Sequence, residues 1–344
     1  MCEMTLLYIY PGDLNKSKAS VYQSRQQIES FALKCDVICV SFGDARNNID
    51  VVHKVFKSTL LYYFEALKVG KKANVVYSRS PLMLLPFIIG KKKLALELHS
   101  NPADHKFIYR VAFSLLKKIP KVHVITITES LAKDLDGVSV RLVAPDSALI
   151  VADVKPNSVK SRLVLGYIGG YSEGKGLDTL ADLSLRLDYS RFELIVAGLS
   201  RDLALELGYC FHKNVDFFGY VERSDLDSFM SRIDIGLVPN KARVYGSGDE
   251  FVNIGKYTSP MKLFEYMAYR KLIVASDLDV LKEVLCDDNA FFFCPGDENS
   301  LLKVLDDIAI NRAESFYKEA TAYRDFLVKY SQEVRTKNIL SILC

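Results

Sequence analysis

Leu163–Leu187 reads LVLGYIGGYSEGKGLDTLADLSLRL. Its first six residues, Leu163–Ile168, form a nearly continuous apolar run, the mark of a strand buried on both faces. From Leu177 the leucines recur at helical spacing, so Leu177–Leu187 reads as a helix. Between them lie Gly169, Gly170, Gly174 and Gly176, which permit tight turns and a close backbone approach to a ligand, and Lys175, which offers a point charge. The helix start adds N–H groups that no helical carbonyl can take. Together these make an anion site, best matched to phosphate. The plainer alternative is a glycine-rich turn with a surface lysine. A P-loop is disfavoured: Gly169–Lys175 fits GxxxxGK, but Gly176 stands where the magnesium-binding Ser or Thr belongs.

The same strand–loop–helix pattern continues on both sides. Downstream, strands are predicted at Phe192–Ala197, Val215–Phe218, Ile235–Val238, Leu272–Ala275 and Ala290–Phe293. Upstream, they are predicted at Leu6–Tyr10, Asp36–Val40, Val75–Tyr77, Leu94–Leu98, Val122–Thr126 and Val140–Ala144. Helical stretches lie between, among them Ser20–Leu33, Phe107–Lys118 and Met261–Tyr269. Two sets of six such units predict two doubly wound α/β domains, with the boundary in the polar stretch Asp153–Lys160. Ligands of open parallel sheets sit beyond the carboxyl ends of the strands, so the expected site is a cleft between the two sheets.

A second stretch, Ser259–Ala268 (SPMKLFEYMA), reads as a helix start. Ser259 fits the N-cap and Pro260 the first helical position. A helix N-terminus, Lys262 and Glu265 together suit a nucleoside diphosphate: dipole and lysine for phosphate, carboxylate for ribose hydroxyls. Glu265 is otherwise read as a surface residue favoured by the helix dipole.

The chain of 344 residues is 49% hydrophobic and 25% charged, which excludes disordered, collagenous and coiled-coil classes. Its seven cysteines are dispersed with no CxxC and no zinc spacing, so neither a disulfide framework nor a structural zinc site is expected. The start, MCEMTLLYIYPGD, lacks a basic n-region, and the longest apolar run, Leu82–Ile89, is broken by Pro86. A cytoplasmic protein is therefore expected. Residues 1–155 carry a balance of +8 and residues 156–344 one of −5, which suggests domains with different partners.

The order GYIGG…EGKGLDTL, FELIVAG, VDFFGYV, IDIGLVPN, SPMKLFEYMAYRKLIVASD, then EVL and FFCPGD, from Leu163 to Asp297, resembles the carboxyl-terminal half of the family 4 retaining glycosyltransferases, in an SPxKLFEYMA-type branch. YSQEVR, Tyr330–Arg335, is similar to the family's last helix, which returns to the first domain. VVYSRS (Val75–Ser80), LALELHS (Leu94–Ser100), VHVITITESLAKDL (Val122–Leu135) and VRLVAPDS (Val140–Ser147) are weaker landmarks of the amino-terminal half. The resemblance implies the GT-B fold: two Rossmann-like domains facing across a cleft. Residues 1–156, with a helix over about 325–344, would form the acceptor side, and residues 157–324 the nucleotide-sugar domain.

The same resemblance implies roles. Lys175 and the Gly169–Gly170 turn would contact the donor diphosphate, supported by the helix start Ser259–Pro260 and the N–H groups of Met261, Lys262 and Leu263. Glu265 would bind the ribose, and backbone at Phe218, Gly219, Tyr220 and Val221 the base. His99 would approach the transferred sugar; with Lys175 and Glu265 it makes the catalytic set. Gly12, Arg79 and Ser80 are acceptor-side candidates beside His99. A lone histidine at a strand end is otherwise read as a hydrogen-bonded structural residue.

Two positions depart from the family pattern. Gly170 stands where an arginine is common, and Tyr257 stands eight residues before Glu265, where the first of two paired glutamates is usual. Glu250 lies nearby in the loop YGSGDEFVNIGKY. These departures keep a catalytically silent GT-B subunit that binds a partner enzyme as an alternative; a nucleotide-sugar epimerase of the same fold fits the motifs less well. No metal and no cofactor are expected, because preorganised donors can stabilise a leaving diphosphate; Asp277-Leu278-Asp279 is formally a metal motif but reads as a surface turn. The expected partners are a nucleoside-diphosphate sugar and a glycan or lipid-linked acceptor. Nucleic acid is not expected, since the basic half lacks aromatic–basic interleaving. Finally, His105–Lys118 (HKFIYRVAFSLLKK) reads as an amphipathic helix with Lys106, Arg110 and Lys117 on one face and Ile108, Val111, Ala112 and Leu115 opposite. With Lys91–Lys93 it predicts peripheral contact between the basic half and anionic lipid at the inner face of the membrane.

Overall fold

A computed structural model describes residues 4–14, 16, 18–42, 52–56, 59–158, 160–246 and 249–344. The chain forms two units, residues 1–145 with 332–344, and residues 146–331. The first unit holds strands β1 (Thr5–Ile9), β2 (Asp36–Phe42), β3 (Val52–Phe56), β4 (Val75–Ser78), β5 (Lys93–Leu98), β6 (Val122–Thr126) and β7 (Val140–Val143). They make one parallel sheet in the order β3-β2-β1-β4-β5-β6-β7. The second unit holds β8 (Leu163–Ile168), β9 (Phe192–Ala197), β10 (Asp216–Gly219), β11 (Ile235–Val238), β12 (Tyr245–Gly246), β13 (Asp249–Asn253), β14 (Leu272–Ser276) and β15 (Phe291–Phe293). Six of these form a second parallel sheet, ordered β10-β9-β8-β11-β14-β15, and β12 and β13 form a separate antiparallel pair. In each sheet the order reverses beside the first strand of its unit, the place where an open α/β sheet opens a ligand crevice. This is the two-domain α/β architecture of GT-B proteins.

The continuous apolar strands serve two cores at once. In β9, Phe192, Leu194 and Val196 enter one cluster while Ile195 and Ala197 enter the other; in β14, Leu272 and Val274 alternate likewise with Ile273 and Ala275. Sheets covered on both faces require this composition.

Three features differ from the sequence reading. The first sheet has seven strands rather than six, because Val52–Phe56 adds an edge. His53 and Lys54 interrupt its apolar residues, so it carries no buried-strand signature. The loop YGSGDEFVNIGKY contains the β12–β13 pair; the Glu250 side chain lies outside the described residues. The division between units falls at Pro145–Asp146, because the following polar stretch is anchored to the second unit. Asn157 Nδ2 donates to Asp234 O at 2.9 Å, Lys160 Nζ pairs with Asp234 Oδ1 at 2.7 Å, and Ala148 bridges to Ser331.

The terminal helix Gln332–Leu343 belongs to the first unit. Ile339, Leu340 and Leu343 enter its core with Leu6, Tyr8 and Tyr77, and Ser30 Oγ and Thr336 Oγ1 lie 2.6 Å apart.

Candidate functional site

The loop after β8 is shaped by backbone-to-backbone packing. A Cβ on Gly174 would stand 1.8 Å from Arg243 O, and one on Gly176 would stand 1.9 Å from Pro239 O. Both residues have positive φ, 83° and 82°, so their freedom is used twice. Lys241 N donates to Gly174 O at 2.8 Å, and Gly176 opens the helix Leu177–Arg186. The loop therefore lies against the segment after β11, at the sheet's reversal.

At the front of this loop two lysines converge on Gly169–Gly170. A Cβ on Gly169 would stand 3.0 Å from Lys262 Nζ, and one on Gly170 would stand 3.1 Å from Lys175 Nζ. Lys262 is only 9% exposed, and its Nζ has no hydrogen-bond partner among the described residues. Its ammonium lies 3.8 Å from the centroid of the Tyr167 ring, a cation–π contact, while Tyr167 Oη donates to Gly170 O at 3.0 Å. Burial, and then the charge of Lys175, push the Lys262 pKa well below its ordinary value; Glu265 opposes this in part. Burial also lowers the Lys175 pKa. Two partly desolvated ammonium groups beside a side-chain-free turn make a cradle for a multiply charged anion.

The helix Met261–Ala268 is fixed by Tyr266. Its ring packs on Gly236 of β11, where a Cβ would approach Tyr266 Cγ to 2.3 Å. Its hydroxyl donates to Gly166 O and accepts from Ile168 N, both at 3.1 Å. Tyr266 thus aligns the helix start with the end of β8, a role the sequence reading missed. The reading of Ser259 as N-cap is corrected: Pro260 takes the cap position without a side-chain bond, and the helix begins at Met261. Ser259 Oγ instead accepts from Asp146 N at 3.0 Å. Leu263 N donates to Pro260 O at 3.0 Å, which leaves Met261 and Lys262 as the first-turn N–H donors.

Glu265 is buried rather than on the surface, and Arg223 Nη1 donates to its Oε1 at 2.5 Å. Arg223 follows β10 and was not picked out from sequence; no motif marks it. Phe218 sits edge-on to Phe229 at 5.5 Å, and Val221 packs against the core. Gly219 has φ 70° and its carbonyl accepts from Gly198 N at 2.7 Å, while Tyr220 is exposed. Tyr257, in the place of a first acid, is buried. Asp277 Oδ1 pairs with Lys282 Nζ at 2.6 Å, and no His/Cys/Asp/Glu group among the described residues could hold a metal.

The first unit has its own polar centre, on Glu97 of β5. Its carboxylate is fully buried, forms an ion pair with Arg79 at 2.9 Å, and accepts from Arg335 Nη2 at 2.8 Å, Gln27 Nε2 at 3.0 Å and the Tyr77 hydroxyl. His99 Nε2 lies 2.7 Å from Glu97 Oε1. Burial alone would raise the Glu97 pKa; Arg335, Arg79 and His99 overcome that and hold it well below the usual carboxylate range. Arg79 also donates to Gln23 Oε1 and Gln27 Oε1, each at 2.9 Å. Of the other acceptor-side candidates, Ser80 N donates to Ser78 Oγ at 3.2 Å, and Gly12 lies beside the Tyr10 ring. His99 and Arg79 are thus brought together through Glu97.

Residues 162–311 match the family described as Glycosyl transferases group 1. No curated protein matches the sequence. The fold is shared with a glycosyltransferase from Rickettsia africae (TM-score 0.76, 15% identity, 100% of this chain and 98% of that one). It is shared also with Anabaena HepE in complex with UDP-glucose (0.74, 15%, 99% of each chain). A third is WaaB, a lipopolysaccharide outer core galactosyltransferase in its apo form (0.69, 15%, 98% of each chain). The protein thus has the GT-B fold throughout, and residues 162–311, which carry the two-lysine cradle, match the glycosyl transferases group 1 family.

Proposed function

We propose that the protein is a glycosyltransferase that moves a sugar from a nucleoside diphosphate to a hydroxyl of a glycan or lipid-linked acceptor, with retention at the anomeric carbon. The observation that carries this reading is Lys262: a buried ammonium without a hydrogen-bond partner among the described residues, beside Lys175 and the Gly169–Gly170 turn. Such a group is costly to bury unless an anion neutralises it. A diphosphate does so and fits the match to the glycosyltransferase family, while HepE, of the same fold, holds UDP-glucose.

In the reaction the bond from the sugar C1 to the diphosphate oxygen breaks and a bond from C1 to the acceptor oxygen forms. The acceptor proton passes to the departing phosphate, and attack comes from the leaving-group face. Charge grows on the diphosphate at the transition state. Lys175, Lys262 and the N–H groups of Met261 and Lys262 stabilise it from fixed positions. Lys175 and Lys262 together compensate for the arginine absent at Gly170, which favours an active enzyme over a silent subunit. Glu265, steadied by Arg223 on one oxygen, offers the other to the ribose hydroxyls, and backbone at Phe218–Val221 flanks the base. His99, oriented by Glu97, serves the transferred sugar, with Arg79 and Ser80 on the acceptor side. The glycan acceptor and a role in surface polysaccharide synthesis draw on the resemblance and on fold-mates such as WaaB.

The test is donor turnover. Incubated with UDP-, GDP- and dTDP-sugars, the protein is expected to release one nucleoside diphosphate, faster with glycan or lipid-linked acceptors. NMR of the product should show the donor's anomeric configuration. Folded protein that binds a nucleotide sugar yet neither hydrolyses nor transfers it would support the silent-subunit reading instead.

A further inference from the structure

Among the described residues, Lys262 stands between one like charge and one shared carboxylate. β8 supplies the Tyr167 ring, 3.8 Å from Nζ, and is followed by the turn Gly169–Gly170. The loop after β8 supplies the like charge, Lys175. The helix Met261–Ala268 itself supplies Glu265 and Tyr266, and the segment after β10 supplies Arg223, whose Nη1 donates to Glu265 Oε1 at 2.5 Å. β11 and β14, which pack on the same helix, carry no acid or base. Beyond the carboxyl end of the helix the charges pair with one another: Arg270 with Glu319 at 3.1 Å, and Lys329 with Asp325 at 3.0 Å. The charges that reach Lys262 are therefore Lys175, which opposes an ammonium there, and Glu265, which favours one but is shared with Arg223. Burial keeps the phenols of Tyr167 and Tyr266 neutral into strong alkali. The ring face of Tyr167 offsets only part of the cost of burying an ammonium.

Building on the donor-site reading above, we propose that binding of a nucleoside diphosphate draws a proton from solution onto the Lys262 amine, so that donor affinity falls as pH rises. In the free protein the buried amine, beside Lys175, gives up its proton at a lower pH than an exposed lysine does. A diphosphate in the cradle brings negative charge to both lysines and restores the ammonium. The one bond formed is N–H: the amine lone pair takes a proton that the buffer releases. The ligand's own charge stays fixed, because a terminal phosphate with a second pKa of about 6 is ionised at pH 8 and above. Between the free-state and bound-state values of Lys262, each unit of pH weakens binding by up to about tenfold.

The test is calorimetric titration of the full chain with UDP, GDP and dTDP between about pH 7 and 9.5, in Tris and in HEPPS, two buffers of different ionisation enthalpy. The wild type is expected to bind one diphosphate with a heat that differs between the buffers, equivalent to up to about one proton taken up, and with a Kd that rises with pH. Lys262→Arg stays charged at every accessible pH and should bind without that uptake. Lys262→Met, titrated at higher concentration, gives the same comparison without a larger side chain. Glu265→Gln removes the charge that favours the ammonium, so uptake should extend to lower pH. Uptake by the α-amino group or a cysteine would survive in both Lys262 variants. Equal uptake in wild type and Lys262→Met therefore overturns the proposal, as does a diphosphate that binds with buffer-independent heat throughout this range. Both of those outcomes leave the donor site standing, whereas failure of every diphosphate to bind the folded protein overturns the donor site as well.

Discussion

Lys262→Met is expected to stabilise the unliganded protein and to weaken nucleoside diphosphate binding at the same time. In the free protein the ammonium is buried beside a second ammonium and lacks a hydrogen-bond partner among the described residues. An unbranched apolar side chain of similar length removes that penalty, a gain of about 1–3 kcal/mol by urea denaturation. With a diphosphate present the sign reverses, because truncating one partner of a buried charge pair costs about 3 kcal/mol, roughly 150-fold in Kd by calorimetry. The pH dependence follows. Lys262 has a folded pKa below its unfolded value, so between its depressed value and about 10.4 the unfolded chain holds the extra proton. Wild-type stability should therefore gain a rising component with pH in that window, and Lys262→Met should lack it. Opposite movement of stability and affinity is the signature of a residue retained for a ligand.

Glu97→Gln is expected to destabilise the first unit by about 3–5 kcal/mol, measured by urea denaturation. Glutamine keeps the shape but removes the charge that pairs Arg335 (4% exposed) with Arg79. The buried Arg335 and the partly buried Arg79 would then lose the carboxylate that pairs with both of them. Because the folded Glu97 pKa is depressed, its contribution is complete above about 4.3 and is lost as pH falls through the folded value. The gap between wild type and Glu97→Gln should therefore stay constant near neutrality and narrow only in strong acid. His99→Ala, which removes a half-exposed side chain, should cost far less stability while turnover falls.

The contrast between these two sites shows what the sequence could reveal. The parts of the two-lysine cradle were legible because they are local: a glycine loop after a buried strand, and a lysine and a carboxylate in one helical turn. Lys262 was visible as a charge near phosphate, but its isolation over Tyr167 was not, since that depends on how the helix Met261–Ala268 docks. Tyr266 and Gly236, which set the docking, lie in motifs that read only as apolar helix and strand. Arg223 and Arg335 carry no local signal; Arg335 reaches Glu97 from 238 positions away. The edge strand Val52–Phe56 escaped because its partners lie on one side only, so it lacks continuous apolar residues. Helix periodicity located the helix Phe107–Leu116 but grouped Ala112 with Ile108, Val111 and Leu115, whereas Ala112 is buried and the other three are exposed.

The central claim, that Lys175 and Lys262 hold a diphosphate, is tested most directly by titrating the folded protein with UDP, GDP and dTDP alongside uridine, guanosine and thymidine, reading stability and heat of binding. One diphosphate, at about 100-fold its Kd, is expected to stabilise the protein by about 2.7 kcal/mol, its nucleoside far less, and Lys262→Met and Lys175→Ala are each expected to remove most of the difference. Equal effects of diphosphate and nucleoside, or a diphosphate effect that survives in Lys262→Met, would contradict it.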